Sequence, residues 1–467
     1  MRLLLHSFLF ILTTSVLSGQ KGFHKTYTLS KDNQEEARDI NLVKDGLLVL
    51  GLGSEDIEVY TYILKLSFEG DTLWCRKYFD IFGQTDKTFV KDSSLYIPGY
   101  QLLPDATYER DGFRLYEFDI EGKLKHSQKY GLEKLSNPQV DSILSYQPLG
   151  VTGIQNRLIV HGMIYEANYG VSTDVFSRGL LVYYNEDLSY DTMVIVQPRY
   201  EECQIFDANP DEDGLLTILV DDDIEVVNNR KRLFRGYVKY DVDGHKVWTS
   251  EPYEITQSSS RILSFANLSN QDLVCYYFDE NRWSYILVSH DSGGELNWTF
   301  QIDPILDRDD REIVDVEEAA DGHILVCGLY HDNDRERQGA YLAKCNRETG
   351  QLIWERVYQD WRDRELQISG LSKRIFALSM KIDEHGVVHM AGIHNKITDV
   401  DLAVISVDGR GCLFPDCDGF EQTVAGTPKY NQMLYTSGSS NLTSRAKEVL
   451  GKIAQIVDSR KDFDVMV

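Results

Sequence analysis

The sequence predicts an all-β chain: a seven-bladed β-propeller of four-stranded antiparallel blades, closed by an N-terminal strand and followed by a short C-terminal helical tail. Three observations predict it. One phrase recurs seven times: a polar turn, an alternating apolar run, a second apolar run, then an acidic residue, Gly and an aromatic strand. The repeat is about fifty residues long and built of short strands and tight turns, as propeller blades are. The last repeat lacks a fourth strand, and the N-terminus offers one.

The first unit carries Asp39–Val43, Asp45-Gly46 before Leu47–Gly51, Tyr62–Leu66, and Glu69-Gly70 before Trp74 and Tyr78. The second has Thr88–Val90, Leu95–Gly99, Phe113–Phe118 and Glu121-Gly122. The third has Ser142–Tyr146, Arg157–Gly162 and Gly179–Tyr184, followed by Asn185-Glu186-Asp187, which lacks the turn Gly. The fourth has Cys203–Phe206, Asp213–Leu219, Gly236–Tyr240, Asp243-Gly244 and Trp248. The fifth has Arg261–Phe265, Gln271–Tyr276, Tyr285–Val288, Gly293-Gly294 and Trp298. The sixth has Ile313–Val316, Asp321–Gly328, Ala340–Lys344, Thr349-Gly350 and Trp354. The seventh has Phe376–Met380, His385–Gly392, Leu402–Ile405 and Asp408-Gly409. Strands are named A to D in each unit, with A innermost.

Trp stands four residues after the C–D turn Gly in Gly70/Trp74, Gly244/Trp248, Gly294/Trp298 and Gly350/Trp354. In the seventh unit Gly411–Pro415 contains a Pro, which cannot donate to a ladder. Phe23–Tyr27 repeats the aromatic-x-x-x-Tyr spacing, so residues 22–29 are expected to complete the last blade and cover its open edge.

Met1–Leu12, one positive charge and then an apolar run, reads as a secretory signal peptide ending at Gly19. The expected organisation is therefore 1–19 signal peptide, 20–418 propeller, and 419–467 a tail. A helix near 443–458 in that tail has Ala446, Val449, Leu450, Ile453, Ile456 and Val457 on one face. No other stretch is apolar enough to span a membrane. The mature chain is expected to be secreted, periplasmic or at the cell surface, as a monomer. Of the 7 cysteines, Cys412 and Cys417 flank a Pro and are expected to form a disulfide. Cys203, Cys275, Cys327 and Cys345 fall within strands as small apolar residues.

A net charge of −26 argues against nucleic acid as a partner. The acidic clusters at 221–225, 307–310 and 332–334 lack EF-hand spacing, and no metal site is expected. His385 and His389 would lie about 13 Å apart along a strand, too far to share one zinc ion. No nucleophile elbow, zinc-protease helix or phosphate loop occurs, so no catalytic residue and no cofactor is assigned.

Asn346–Trp354 resembles the Thr-Gly-x-x-x-Trp signature of PQQ-like (quinoprotein-like) propeller repeats, and Glu69–Trp74 and Asp243–Trp248 are weaker copies. The chain from about 22 to 416 is also similar to secreted, mostly uncharacterised propellers of Bacteroidetes-type bacteria. In that repeat family Trp74, Trp248, Trp298, Trp354, Gly70, Gly244 and Gly350 are packing and turn residues, and the resemblance implies the fold without the quinone.

The A–B and C–D turns are short, whereas the B–C loops (102–112, 164–178, 221–235, 330–339) and D–A loops (131–140, 302–311, 359–374) are long. That long-loop face is expected to bind an unknown protein or carbohydrate, through Trp283, Trp361, Tyr108 and Tyr165, with Tyr169 beside them. The leading expectation is a non-catalytic exported binding or scaffold protein. The alternative is a polysaccharide hydrolase or lyase using loop acids such as Asp223, Asp309 or Asp334.

Overall fold

In the computed structural model the described residues are 22–413, except 30–33, 56–57, 84, 86, 103–111, 132–141, 168–174, 197–202, 212–213, 215, 228–229, 251–252, 256–263, 280–283, 303–308, 333–336, 359–373 and 396–399. All described regular structure is β, and no helix occurs among these residues. Phe23–Gly411 is one compact unit; of the remainder, only Gly22, Cys412 and Leu413 are described.

The strands follow the repeats. β1 (Phe23–Tyr27) precedes β2 (Gln34–Val43), β3 (Gly46–Glu55), β4 (Glu58–Leu66) and β5 (Thr72–Tyr78). Then come β6 (Ile81–Phe82), β7 (Phe89–Lys91), β8 (Ser94–Gln101), β9 (Gly112–Asp119) and β10 (Leu124–Gly131). The third repeat forms β11 (Ser142–Ile154), β12 (Arg157–Ala167), β13 (Val175–Asn185) and β14 (Tyr190–Val196). The fourth forms β15 (Cys203–Pro210), β16 (Leu216–Val227), β17 (Arg230–Tyr240), β18 (Lys246–Thr249) and β19 (Tyr253–Ile255). The fifth forms β20 (Phe265–Asn267), β21 (Leu273–Asp279), β22 (Ser284–His290) and β23 (Leu296–Ile302). The sixth forms β24 (Asp309–Glu318), β25 (Ile324–Asp332), β26 (Arg337–Cys345) and β27 (Leu352–Tyr358). The last forms β28 (Arg374–Ile382), β29 (Val388–Asn395) and β30 (Val400–Val407).

Within each repeat neighbouring strands pair antiparallel, in orders such as β11-β12-β13-β14 and β24-β25-β26-β27. β1 pairs antiparallel with β30, from Phe23↔Ser406 to Tyr27↔Leu402. The N-terminus thus supplies the fourth strand of the β28-β29-β30 sheet, where the sequence placed it. A single parallel pair, Gln34↔Val400, joins that sheet to β2-β3-β4-β5. The architecture is β-propeller-like: several four-stranded antiparallel sheets stacked face to face, with apolar clusters between neighbours. One such cluster joins Phe113 and Leu115 of the second repeat to Val160 and Val182 of the third.

The repeat signature is a lock between neighbouring sheets. Trp74, Trp248, Trp298 and Trp354 are half-buried rather than core residues. Each lies over the C–D turn glycine of the next sheet. A Cβ added at Gly350 would sit 2.5 Å from Trp298, and one at Gly411 2.9 Å from Trp354. Both glycines also hold positive φ, +69° and +76°, so the turn and the close approach require glycine twice over. Phe23 takes the Trp role over Gly70. The tyrosine four residues on donates to the same turn's carbonyl: Tyr27 to Gly70 at 2.7 Å, Tyr358 to Gly411 at 2.8 Å, and Tyr78 to Gly122. In the third repeat, which lacks the turn Gly, Leu188 adopts φ +61° and fills that place.

A second repeated device ties strand C to the A–B turn. Lys65 is 2 % exposed and reaches Asp45 at 2.9 Å; Lys239 reaches Asp211 at 2.9 Å and Lys344 reaches Asp321 at 2.6 Å.

Candidate functional site: the inner-strand cavity

The innermost strands carry a recurring residue group: Asp39-Ile40-Asn41, Asp207-Ala208-Asn209, Asp315-Val316-Glu317 and Ser379-Met380-Lys381. At each first residue the ladder slips, between Ala37/Asp39, Ile205/Asp207, Ile313/Asp315 and Ala377/Ser379. Such a bulge leaves backbone amides without a ladder partner, and a buried amide needs an acceptor. The aspartates provide it. Oδ1 accepts the following amide in Asp39–Ile40 (2.9 Å), Asp207–Ala208 (2.7 Å) and Asp315–Val316 (2.9 Å). Oδ2 crosses to the next repeat, taking the amides of Thr88 (2.7 Å), Phe265 (3.3 Å) and Met380 (2.8 Å) respectively.

Other contacts fill the remaining seams. Val151 N donates to Lys87 O at 3.2 Å, Arg157 Nη1 to Val242 O at 3.0 Å, and Tyr276 OH to Val314 O at 2.5 Å. Ser379 Oγ donates to Asp39 Oδ1 at 2.8 Å and links the last repeat to the first. Every consecutive pair of repeats is thereby bridged.

These strands enclose a cavity of about 780 Å³. Its wall includes Arg38 and Asp39 of β2, Lys87, His161 of β12, Asp207 of β15, Phe265 of β20, Asp315 and Glu317 of β24, and Lys381 of β28. Lys87 Nζ donates to Asp207 Oδ1 at 2.8 Å and to Asn209 Oδ1. Burial would raise Asp207, but the charge of Lys87, with His161 and the Ala208 amide, holds its carboxyl below the usual range. Burial lowers His161 to about 4, so its ring is neutral. Burial, with Glu317 beside it, raises Asp315 to about 7 against the pull of Lys381. Burial opposes the charge on Lys381, but Glu317, Asp315 and Asp39 outweigh it and hold the ammonium firmly protonated.

The structure relocates several residues expected in binding loops. Tyr165 lies on β12, half-buried, with its hydroxyl donating to Gln147 Oε1 at 3.0 Å. The expected loop 221–235 is mostly a long hairpin, since β16 and β17 pair as far as Val227↔Arg230. That puts Asp223 in a strand, and Asp309 likewise begins β24. Residues 221–227, Asp-Asp-Asp-Ile-Glu-Val-Val, end in β-favouring residues, and the three aspartates masked that reading. Trp283, Trp361, Tyr108, Tyr169, Asp334, Cys417 and the tail 419–467 lie outside the described residues. Cys412 is buried, and the free thiols among the described residues are Cys75, Cys275, Cys327 and Cys345.

Two groupings resemble chemistry without supporting it. Ser406 Oγ lies 3.0 Å from His389 Nδ1, and His389 Nε2 lies 3.4 Å from Asp383 Oδ2. All three are buried, and Asp383 Oδ1 also takes the His385 and Val387 amides of the A–B turn. The trio occupies the place of the Lys–Asp pairs of other repeats and is a structural variant of them. His385 is exposed and does not share a site with His389. Asp241, Asp243 and His245 gather on a C–D turn because Asp241 Oδ1 accepts the amides of the other two.

Sequence reasoning missed the inner-strand polar residues. The signal was present: Asp, an apolar residue, then Asn or Glu recurs at one place in the repeat, where an ordinary inner strand would be apolar.

No family profile matches the chain, so the expected PQQ-like resemblance is not supported, and no curated protein matches it. Solved structures do. A protein of unknown function from Dyadobacter fermentans is 9 % identical with TM-score 0.43, over 83 % of this chain and 98 % of that one. The polysaccharide lyase Uly1 is 10 % identical with TM-score 0.47, over 80 % and 90 %. Trypanosoma rangeli sialidase is 10 % identical with TM-score 0.41, over 88 % and 63 %. At such scores these likenesses decide neither a ligand nor a reaction.

Proposed function

We propose that this chain is an exported, non-catalytic binding or scaffold propeller of seven blades, which takes its ligand at the mouth of the inner-strand cavity. One observation carries the reading: the three aspartates that line the cavity, and Glu317, are committed to the fold. Asp39, Asp207 and Asp315 each hold amides of two repeats, and Glu317 is bonded to Lys381. A glycosidase needs a carboxyl pair free to exchange protons with substrate, about 5–9.5 Å apart. Asp207, with Lys87 and two backbone amides on its carboxylate, is held ionised below the usual range and is a poor proton carrier. The ligand is a carbohydrate or a protein, the mature chain acts as a monomer, and a Cys412–Cys417 disulfide closes the end of the last blade.

The test is a glycan and secreted-protein binding array with the mature chain, alongside a polysaccharide depolymerisation assay. Saturable binding without product formation supports the proposal. Release of reducing or unsaturated ends that survives repurification and is lost in Asp223→Asn or Asp309→Asn overturns it in favour of the enzyme.

A further inference from the structure

We propose that the outer groove between the first and second repeats seats the carboxylate of an acidic sugar, a uronate unit of a polysaccharide. The site lies on the outer strands, apart from the inner-strand cavity, and goes beyond the binding role proposed there.

The repeats themselves show what this groove lacks. Where the last sheet meets the first, Lys25 stands two residues after Phe23, which takes the Trp place, and Asp71 follows the turn residue Gly70. The two pair across the seam at 2.8 Å. Where the first repeat meets the second, the same positions hold Arg76, two residues after Trp74, and Lys123, after Gly122. Two cations thus meet where the neighbouring seam pairs a cation with a carboxylate. The fold does not require cations there. The corresponding positions are Ser250 and Glu295 between the fourth and fifth repeats, and Phe300 and Gln351 between the fifth and sixth.

The acids of the turn are occupied. Glu121 gives its carboxylate to Lys65 at 3.0 Å. Asp119 Oδ1 accepts the amides of Glu121 and Lys123 at 3.0 and 2.8 Å. β5 and the run Lys123–Gly131 contain neither Asp nor Glu, in a chain of net charge −26. Arg76 and Lys123 are both exposed, and neither makes an ion pair among the described residues. Arg76 is nonetheless held in place: its Nε donates to the Glu121 carbonyl at 2.6 Å, and its guanidinium lies 5.7 Å from the centre of the Trp74 ring.

The surroundings suit a sugar. Arg76, Lys123, Tyr78 and Leu124 line a cavity of about 510 Å³ beside the Gly122 turn. The Tyr78 hydroxyl donates to the Gly122 carbonyl and fixes the half-buried ring, and Leu124 is 42 % exposed. A ligand carboxylate can take the guanidinium fork with the ammonium beside it, the role that Asp71 plays for Lys25. The C–H face of a sugar ring then covers the tyrosine and the leucine. An Asp or Glu side chain of a protein partner brings only methylene groups to that wall.

The experiment is calorimetric titration of the mature chain at low salt with tetragalacturonate and with its methyl-esterified twin, whose carboxyls carry no charge. The acid should bind at least about tenfold more tightly, the scale of one charge-assisted hydrogen bond. Lys123→Asp rebuilds the pairing of Lys25 with Asp71; it should keep the melting temperature and lose at least about tenfold in affinity. Lys123→Gln should lose several-fold. Lys246→Asp, the same charge change on β18 away from the groove, should leave binding unchanged. The bound sugar should also slow alkylation of Cys75, the exposed free thiol of the same groove. Equal binding of the ester, no binding of the acid, undiminished binding in both Lys123 variants, an equal loss in Lys246→Asp, or unslowed alkylation overturns the inference. Pentaglutamate binding as tightly as the sugar, with the same loss in Lys123→Asp, overturns the choice of a sugar in favour of an acidic protein. The inner-cavity role is tested by the array and stands whichever way these titrations fall.

Discussion

The inner and outer edges of the repeats solve the same problem with different chemistry. Each must hold one sheet against the next. The inner edge uses buried carboxyls that take backbone amides from both sides of a seam, as Asp39 does with Ile40 and Thr88. The outer edge uses half-buried rings laid over glycine turns, with a tyrosine hydroxyl on the turn carbonyl, as Trp354 and Tyr358 do with Gly411. Inner strands crowd together, their bulges expose amides away from bulk water, and those amides need short, strong acceptors. Outer strands splay apart, and only large side chains span the gap. The inner devices are therefore costly to break and specific in geometry, while the outer ones are individually modest and tolerant.

The largest effect should come from removing a whole outer strand. Deleting residues 20–30 takes away β1, its ladder to β30, and the Phe23 and Tyr27 locks on Gly70. We expect loss of more than about 5 kcal/mol, beyond what a single substitution usually does, or an insoluble chain. An unchanged melting temperature would mean that β1 closes nothing.

Next is the inner carboxyl. Asp39→Ala strands the Thr88 and Ile40 amides in a buried seam and should cost about 3–5 kcal/mol by chemical denaturation. Trp354→Ala, on the outer edge, should cost about 2 kcal/mol, below the usual figure for a fully buried aromatic because the ring is half-exposed. If the two losses come out equal, or in reverse order, the contrast between edges is wrong.

The pH dependence should also separate the edges, because the titrating groups described are mainly inside. Asp315 is raised from 3.8 to about 7, so the folded chain holds a proton there that the unfolded chain has lost. Its stabilising contribution is complete below 3.8 and declines as pH rises through about 7. His161 and His290 are lowered by burial from 6.5 to about 4; their contribution is complete above 6.5 and is lost as pH falls towards 4. Melting temperatures measured between these limits should fall on both sides, and Asp315→Asn should remove the decline on the alkaline side only. A profile unaltered by that substitution would show that Asp315 does not titrate near neutrality.

The smallest effect belongs to a single outer hydrogen bond. Tyr358→Phe keeps the ring and loses the contact to Gly411, and should cost about 1 kcal/mol. A loss above that of Trp354→Ala would place the strength of the outer lock in the hydroxyl.

Sequence alone determined the strands, their antiparallel grouping and the strand that completes the last sheet. Those features rest on local spacing: Gly70, Gly244 and Gly350 mark turns that need positive φ, Trp follows four residues later, and Phe23 and Tyr27 repeat the same interval. Its reading of loops was weaker. The long loops drawn at 221–235 and 164–178 placed Asp223 and Tyr165 outside the sheets, yet β16 and β12 carry them, because those strands run further than the apolar part of the repeat. The tertiary structure alone decided the site. Lys87 meets Asp207 across 120 residues, and Ser379 meets Asp39 across 340. No periodicity encodes such contacts; they exist because the inner strands of distant repeats converge on one cavity. There a carboxyl that looks like an ordinary strand acid becomes the acceptor for another repeat's backbone.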